Sequence, residues 1–237
     1  MSRFKLGRLP AVRPAALSDL SVYAHGKLPA PPPSVAVPHA DYPIDGNDQY
    51  GDCTIAGVAH LIAAWNAQTG QNDPVPTGDE VVQEYFTLSG GQDTGLNELD
   101  VLKTWHQSGL FGERIAGYAP VNPQSVLGLH QAVAFYGGCY LGIECPESAQ
   151  EQFQAGQPWT YDPSSPVEGG HCIVALGYTV SGSLLCATWG GIAEVTPGFL
   201  AHFLDEAWVI LPNQIVEARK DALGIDLATL QADLARV

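Results

Sequence analysis

Apolar positions in the first half of the chain recur at helical spacing. Ile55, Val58, Ala59, Ile62 and Trp65 follow an i, i+3, i+4, i+7 pattern between Asp52 and Gly70, which predicts a helix with one buried face, Asp52 as its N-cap and Gly70 as its stop. Thr77 and Glu80 form a capping-box pattern ahead of Val81, Val82, Tyr85 and Phe86, and Gly90-Gly91 ends that second helix. A third is capped by Asn97, turns Leu99, Leu102 and Trp105 inward and stops at Gly109.

Beyond residue 113 the pattern shortens to apolar runs of strand length at 114–118, 139–144, 171–178, 184–189 and 207–211. One helix interrupts them, with Asn122 as cap, Pro123 as first residue, a stripe of Val126, Leu129, Val133 and Ala134, and a stop at Gly137-Gly138. Leu200, Phe203 and Leu204 after Thr196-Pro197 predict a short helix before the last strand. Helices followed by strands indicate an α+β arrangement in which a cleft separates a helical half from an antiparallel β half.

The ends differ from the body. Residues 1–46 are a proline-rich, basic arm, and Leu28-Pro29-Ala30-Pro31-Pro32-Pro33 favours extended polyproline II. It is expected to lie along the body as a strap, to thread into a neighbouring subunit or to be disordered. Residues 213–237 read as helix, a break at Gly224 and a second helix with Leu227, Leu230, Leu234 and Val237 on one stripe, packing on the body or on another chain. Arm and tail are therefore both candidate surfaces for homo-oligomer formation.

The first predicted helix has chemical interest because Cys53 stands in its first turn. Unpaired backbone N–H groups and the positive end of the helix dipole favour a thiolate there, the form that attacks carbonyls. The alternative is that Cys53 is one more buried small hydrophobe. Asn47 lies six residues earlier on a polar loop, and Glu168-Gly169-Gly170-His171 puts a histidine at the mouth of an apolar strand, where an imidazole can serve as general base.

With these parts in this order, the stretch from residue 47 to 211 resembles the papain-like cysteine peptidase superfamily. Gly51 and Cys53 match its local signature, while Tyr50 stands where papain has a disulfide cysteine and Thr54 where it has an aromatic residue. Asn47 resembles the oxyanion-hole glutamine, shortened by one methylene. Gly169-Gly170-His171, entering a strand that ends in Gly177-Tyr178, resembles the histidine strand, and Ala187-Thr188-Trp189-Gly190 the segment carrying the third residue and its covering tryptophan. The resemblance implies a thiol hydrolase of peptide or isopeptide bonds, with Cys53 as nucleophile, His171 as base and Asn47 in the oxyanion hole. It also implies that Thr94-Gly95 pairs with substrate backbone, although a loop needing glycine for its turn accounts for the same residues.

One position departs from the pattern. Ala187, sixteen residues after His171, occupies the third catalytic position and has no side-chain acceptor. Thr188 is the neighbour whose hydroxyl can orient the imidazole, with Trp189 covering the ring. The same departure opens a second reading, a papain-fold binding or scaffold protein of impaired catalysis, associated with a phage or mobile-element particle.

Composition narrows the classes. The chain has 237 residues, 46% of them hydrophobic, enough for one packed domain over 47–212 with appendages. It has no apolar run of membrane-spanning length and no apolar stretch behind the N-terminal charges, so a soluble cytoplasmic protein is expected. The five cysteines, Cys53, Cys139, Cys145, Cys172 and Cys186, show no metal-ligand spacing, and His25, His39, His60, His106, His130 and His202 share none either. No disulfide framework, metal or cofactor is expected.

The net charge of −15 is unevenly placed. Residues 1–27 carry Arg3, Lys5, Arg8, Arg13 and Lys27 against Asp19 alone, whereas residues 28–212 carry only Lys103 and Arg114 as cations among their many carboxylates. An anionic body repels phosphate backbones, so nucleic acid is an improbable partner. Cationic peptides or the protein's own arm are the natural ones, with the charge segregation supplying a Coulombic reason for docking.

Overall fold

The computed structural model describes residues 4–25, 28–71, 74–213 and 224–237. The expected helix after residue 213 falls mostly outside them, as do Arg3 and Lys27. Helices α1 (Leu20–Tyr23), α2 (Cys53–Thr69), α3 (Gly78–Leu88) and α4 (Glu98–Gln107) precede strand β1 (Ile115–Pro120) and helix α5 (Val126–Tyr136). Then follow β2 (Cys139–Pro146), α6 (Glu147–Gln154), β3 (Val167–Tyr178), β4 (Leu184–Thr188), β5 (Gly191–Val195), α7 (Pro197–Phe203), β6 (Leu204–Pro212) and α8 (Leu227–Leu234). The strands form one six-stranded sheet of order β1-β6-β2-β3-β4-β5, antiparallel throughout. An α+β fold results, with a helical half packed on an antiparallel β half.

Helix α2 is the central element of the helical half. Every residue from Cys53 to Trp65 is buried, not one face alone. Away from its Ile/Val stripe the helix carries glycine, alanine and His60: Gly57 faces the sheet, and the chain that precedes the helix closes over His60, whose Nε2 lies 2.8 Å from the Pro43 carbonyl. Gly57 has no Cβ to strike the Tyr140 ring, which a Cβ would approach to 2.8 Å, so helix and sheet come into close contact there. Asp52 makes no capping hydrogen bond, contrary to its expected role, because its carboxyl is turned into the interior.

Other boundaries follow local chemistry. The Thr77–Glu80 capping box and the Asn97 cap both form. Helix α5 starts later than expected, since Ser125 Oγ accepts from the Gly128 N–H and Asn122-Pro123 stay in the preceding turn. Strand β3 starts earlier: Gly169 and Gly170 pair with Cys145 and Glu144 of β2, so His171 lies within a strand and not at its mouth. Strand β5 and helix α6 are additions to the expected elements.

The arm lies along the body of its own chain. Val35 and Tyr178 exchange backbone hydrogen bonds of 2.9 Å, Tyr178 Oη donates to the Pro32 carbonyl, and Gln131 donates to the carbonyls of Leu28 and Pro29. In the tail, Leu230 and Leu234 of α8 pack over Gly117 of β1, and Asp233 accepts from Tyr23 Oη at 2.8 Å. No helix among the described residues is long and apolar enough to cross a membrane.

Candidate active site

Cys53 opens α2 and His171 lies in β3, and the two elements meet at this point. The backbone N–H of Cys172, the residue after His171, donates to Cys53 Sγ at 3.4 Å. His171 Nε2 lies 2.8 Å from Thr188 Oγ1, and the ring stacks on Trp189 with centroids 4.5 Å apart and planes at 18°. Nδ1, the other ring nitrogen, is buried and has no hydrogen-bond partner, so thiol and imidazole are not hydrogen-bonded to each other in this state.

The placement of Trp189 has a local cause. Thr188 pairs with Gly191 across the β4–β5 hairpin, leaving Trp189 and Gly190 as a two-residue loop with φ of 44° and 80°. Two successive positive φ values are what a type I′ hairpin turn requires, and they are unfavourable for a bulky residue. The indole compensates by packing between His171, Phe153, Trp159 and the arm's Phe4.

The arm runs directly across Cys53. Lys5 N–H donates to the Asn47 carbonyl at 3.0 Å, and Asn47 Nδ2 contacts the Lys5 carbonyl at 3.4 Å and the Tyr50 carbonyl at 3.1 Å. Leu96 N–H donates to the Gly7 carbonyl, Leu9 N–H to the Leu96 carbonyl and Arg8 N–H to the Gly170 carbonyl, at 2.9 to 3.0 Å. Phe4 stacks on Trp189 with centroids 4.7 Å apart, and its N–H donates to Gln150 Oε1. The approach is too close for side chains at several points: a Cβ on Gly7 would sit 1.8 Å from the Gly51 oxygen, one on Gly95 2.2 Å from the Gly7 oxygen, and one on Gly170 2.3 Å from the Arg8 oxygen. Gly95 thus leaves room for the arm and Leu96 makes the bonds, whereas Thr94 is exposed.

Burial sets the charge state of the pair. Burial pushes the Cys53 thiol up to about 12, despite the N–H groups of Cys172 and Gly7 that favour its thiolate. Burial, with the positive Arg8 adding to it, holds the His171 imidazole down to about 3. Both groups are therefore neutral near pH 7, and the arm turns the Gly7 N–H toward the sulfur.

Several residues of this site were not singled out by the sequence. Arg8 was one of five arm cations, yet its side chain is 0% exposed and reaches Glu206 Oε1 (2.9 Å), Asp205 Oδ2 (2.8 Å), Glu144 Oε1 (3.2 Å) and the Ile143 carbonyl (3.1 Å). Burial by itself would lower the Arg8 pKa, and the carboxylates of Glu98, Asp205 and Glu206 outweigh it to raise it. The available signal was Asp205-Glu206 opening the apolar strand Ala207-Trp208-Val209-Ile210-Leu211, an unusual place for two carboxylates. All five cysteines are free and buried, and among the described residues no group of three or more His, Cys, Asp or Glu is arranged to hold a metal.

No protein-family model and no curated protein sequence matches the chain. Solved structures do. Xylellain, a cysteine protease from Xylella fastidiosa, superposes with a TM-score of 0.67 at 16% identity, covering 89% of this chain and 97% of that one. The Carica candamarcensis cysteine protease CMS1MS2, in complex with E-64, gives a TM-score of 0.52 at 16% identity over 77% of this chain and 99% of that one. Digestive procathepsin L 3 of the Tenebrio molitor larval midgut gives 0.55 at 13% identity over 89% and 75%. Mixed helix and antiparallel sheet, with the helix bearing Cys53 packed on the strand bearing His171 and these structural neighbours, give the chain the papain-like fold.

Proposed function

We propose that the chain is a thiol hydrolase of peptide or isopeptide bonds, held closed by its own N-terminal arm. The observation that carries this reading is the hydrogen bond from the Cys172 N–H to Cys53 Sγ, which seats His171 beside a thiol at a helix start. In the open form water and a substrate replace the arm. Rehydration then lowers the thiol pKa and raises that of the imidazole, and loss of the Arg8 charge adds to the rise of the imidazole, in the direction of a thiolate–imidazolium pair.

The chemistry follows from the positions. With Thr188 Oγ1 accepting from His171 Nε2–H, Nδ1 carries the lone pair and takes the thiol proton. The thiolate adds to the carbonyl carbon, Asn47 Nδ2 and the Cys53 N–H stabilise the oxyanion, and His171 returns the proton to the leaving amine. Water, activated by His171, releases the acyl-thioester. A second amine capturing it makes the same site a transferase. Two further structural neighbours are a proform of the ragweed pollen cysteine protease Amb a 11 and a stem bromelain precursor, which is consistent with an arm that closes the cleft.

The scaffold reading is favoured by two observations: Ala187 stands at the third position and all five thiols are buried. The deciding experiment compares full-length protein with Gly7→Val, in which the added side chain strikes the Gly51 oxygen and expels the arm. Hydrolysis of fluorescent casein by Gly7→Val, abolished by Cys53→Ala, is the expected result. No hydrolysis after release of the arm, with Cys53 no more reactive than the other thiols, overturns it.

A further inference from the structure

The way Arg8 is held says more than that the arm is bound. Its guanidinium is enclosed by carboxylates from three elements: Glu98 opens α4, Glu144 lies on β2, and Asp205 and Glu206 lie on β6. Nη1 and Nη2 divide between Glu206 and Asp205, and the Ile143 carbonyl accepts as well. Glu206 is held by a second bond from Trp208 Nε1 at 3.0 Å, which turns its free oxygen toward the arginine. Room for the side chain comes from Gly142, where a Cβ would sit 2.9 Å from Arg8 Cδ.

This cavity belongs to the body, and only its occupant belongs to the arm. Glu98 is fully buried and neither of its oxygens has a hydrogen-bond partner. Together with the buried Glu206 it is a concentration of like charge that costs several kcal/mol unless a cation lies among them or protons are taken up. With the arm away the cavity either takes in a cation or takes up protons, the direction in which burial already pushes Glu98 and Glu206. Its mouth is at the Gly170 carbonyl, the residue before His171, so a chain that hydrogen-bonds there and places a side chain in the cavity has its backbone over Cys53.

Resting on the hydrolase reading, we propose that this carboxylate cavity is the specificity pocket of the open enzyme and selects substrates with an arginine side chain at the residue that meets the Gly170 carbonyl. The geometry favours guanidinium over ammonium. The two Nη groups, held in one plane, divide among acceptors arrayed on two sides, with Nε left unpaired, whereas a lysine delivers a single point charge and leaves more of the array unpaired. Arg8 is then the arm's imitation of the substrate residue, presented with the Gly7 N–H toward the sulfur.

The test uses the full chain with the arm released by Gly7→Val, and by Arg8→Ala as a second background should the first fail to fold. Fluorescein-labelled hexapeptides Leu-Xaa-Gly-Ala-Leu-Ala, with Xaa arginine, citrulline, lysine or leucine, serve as probes. Binding is read by anisotropy on the additional Cys53→Ala variant and cleavage on the cysteine form. The arginine peptide is expected to bind at least about tenfold more tightly than its neutral isostere citrulline, with lysine between them, and Glu206→Gln to collapse that ratio to under about threefold. Equal binding of arginine and citrulline peptides, no binding of the arginine peptide, or a ratio indifferent to Glu206→Gln overturns the pocket. Arginine-selective binding without cleavage keeps the pocket and removes the hydrolase. Cleavage without arginine preference does the reverse.

Discussion

His171 Nε2 lies 2.8 Å from Thr188 Oγ1, one residue beyond the alanine that occupies the expected third position. Adjacent residues on a strand point to opposite faces, so only one of Ala187 and Thr188 can face the imidazole. In β4 it is Thr188, while Ala187 is 1% exposed on the other side. Thr188→Val, which keeps the shape and removes the acceptor, is expected to slow Cys53 alkylation in the arm-released protein by about tenfold, because the tautomer is no longer held. Ala187→Asn buries an amide away from the ring and is expected to lower stability without raising the alkylation rate. Iodoacetamide kinetics and urea unfolding measure the two effects.

Arm release and thiol reactivity are linked. In the wild-type chain all five cysteines are buried, and slow labelling of each is expected. Gly7→Val should raise the Cys53 rate at least about tenfold and leave Cys139 and Cys186 unchanged, since these lie inside the sheet and the arm does not cover them. Peptide mass mapping after a short iodoacetamide pulse gives the five rates separately. Equal acceleration of all five would mean general loosening of the fold rather than release of the arm.

Salt should have little effect on the arm, contrary to what its charge segregation suggests. The ion pairs that hold it are formed by one arginine enclosed in protein, where screening by mobile ions is weak. Cys53 protection is expected to change less than about threefold between roughly 0.05 and 0.5 M salt. Arg8→Ala removes most of that protection, because it leaves Glu206 and Glu98 buried without a cation. Hydrogen exchange at Leu96 and Gly7 is a second readout.

Asp52 gives a pH prediction. Burial pushes its carboxyl up to about 8, with the Asn47 amide opposing and Asp45 and Asp93 adding. A carboxyl whose folded pKa lies above the unfolded value binds more protons in the folded state, so its contribution to stability is present at low pH and is lost as pH rises from about 4 through about 8. Between pH 5 and pH 9, Asp52→Asn is expected to lose less stability than the wild type by roughly 2 kcal/mol or more. Urea unfolding of both proteins at the two pH values measures the difference.

Local chemistry was enough for much of the molecule. Helical spacing located α2, α3 and α4, the Thr77–Glu80 box and Asn97 set two of their starts, and the apolar runs located five of the six strands, because each depends on residues a few positions apart. Cys53, Asn47, His171, Thr188 and Trp189 were legible as candidates from residue type and order. Strand β5 was not, since its hairpin turn is Trp189-Gly190 and not the Asn-Gly or Asp-Gly pair that marks such turns, and the indole accepts a positive φ only through its aromatic neighbours. The role of the arm was also beyond reach. Its proline content and charge are compatible with a strap, a swap or disorder, and what seats it along its own body is that Gly7, Gly51, Gly95 and Gly170, far apart in sequence, meet closely enough for backbones to bond. The same holds for Arg8, whose hydrogen-bonded carboxylate partners Glu144, Asp205 and Glu206 lie more than a hundred residues away. Periodicity reports which face of an element is apolar, but which charges share a cavity is set by how the faces pack, and only the tertiary structure decides that.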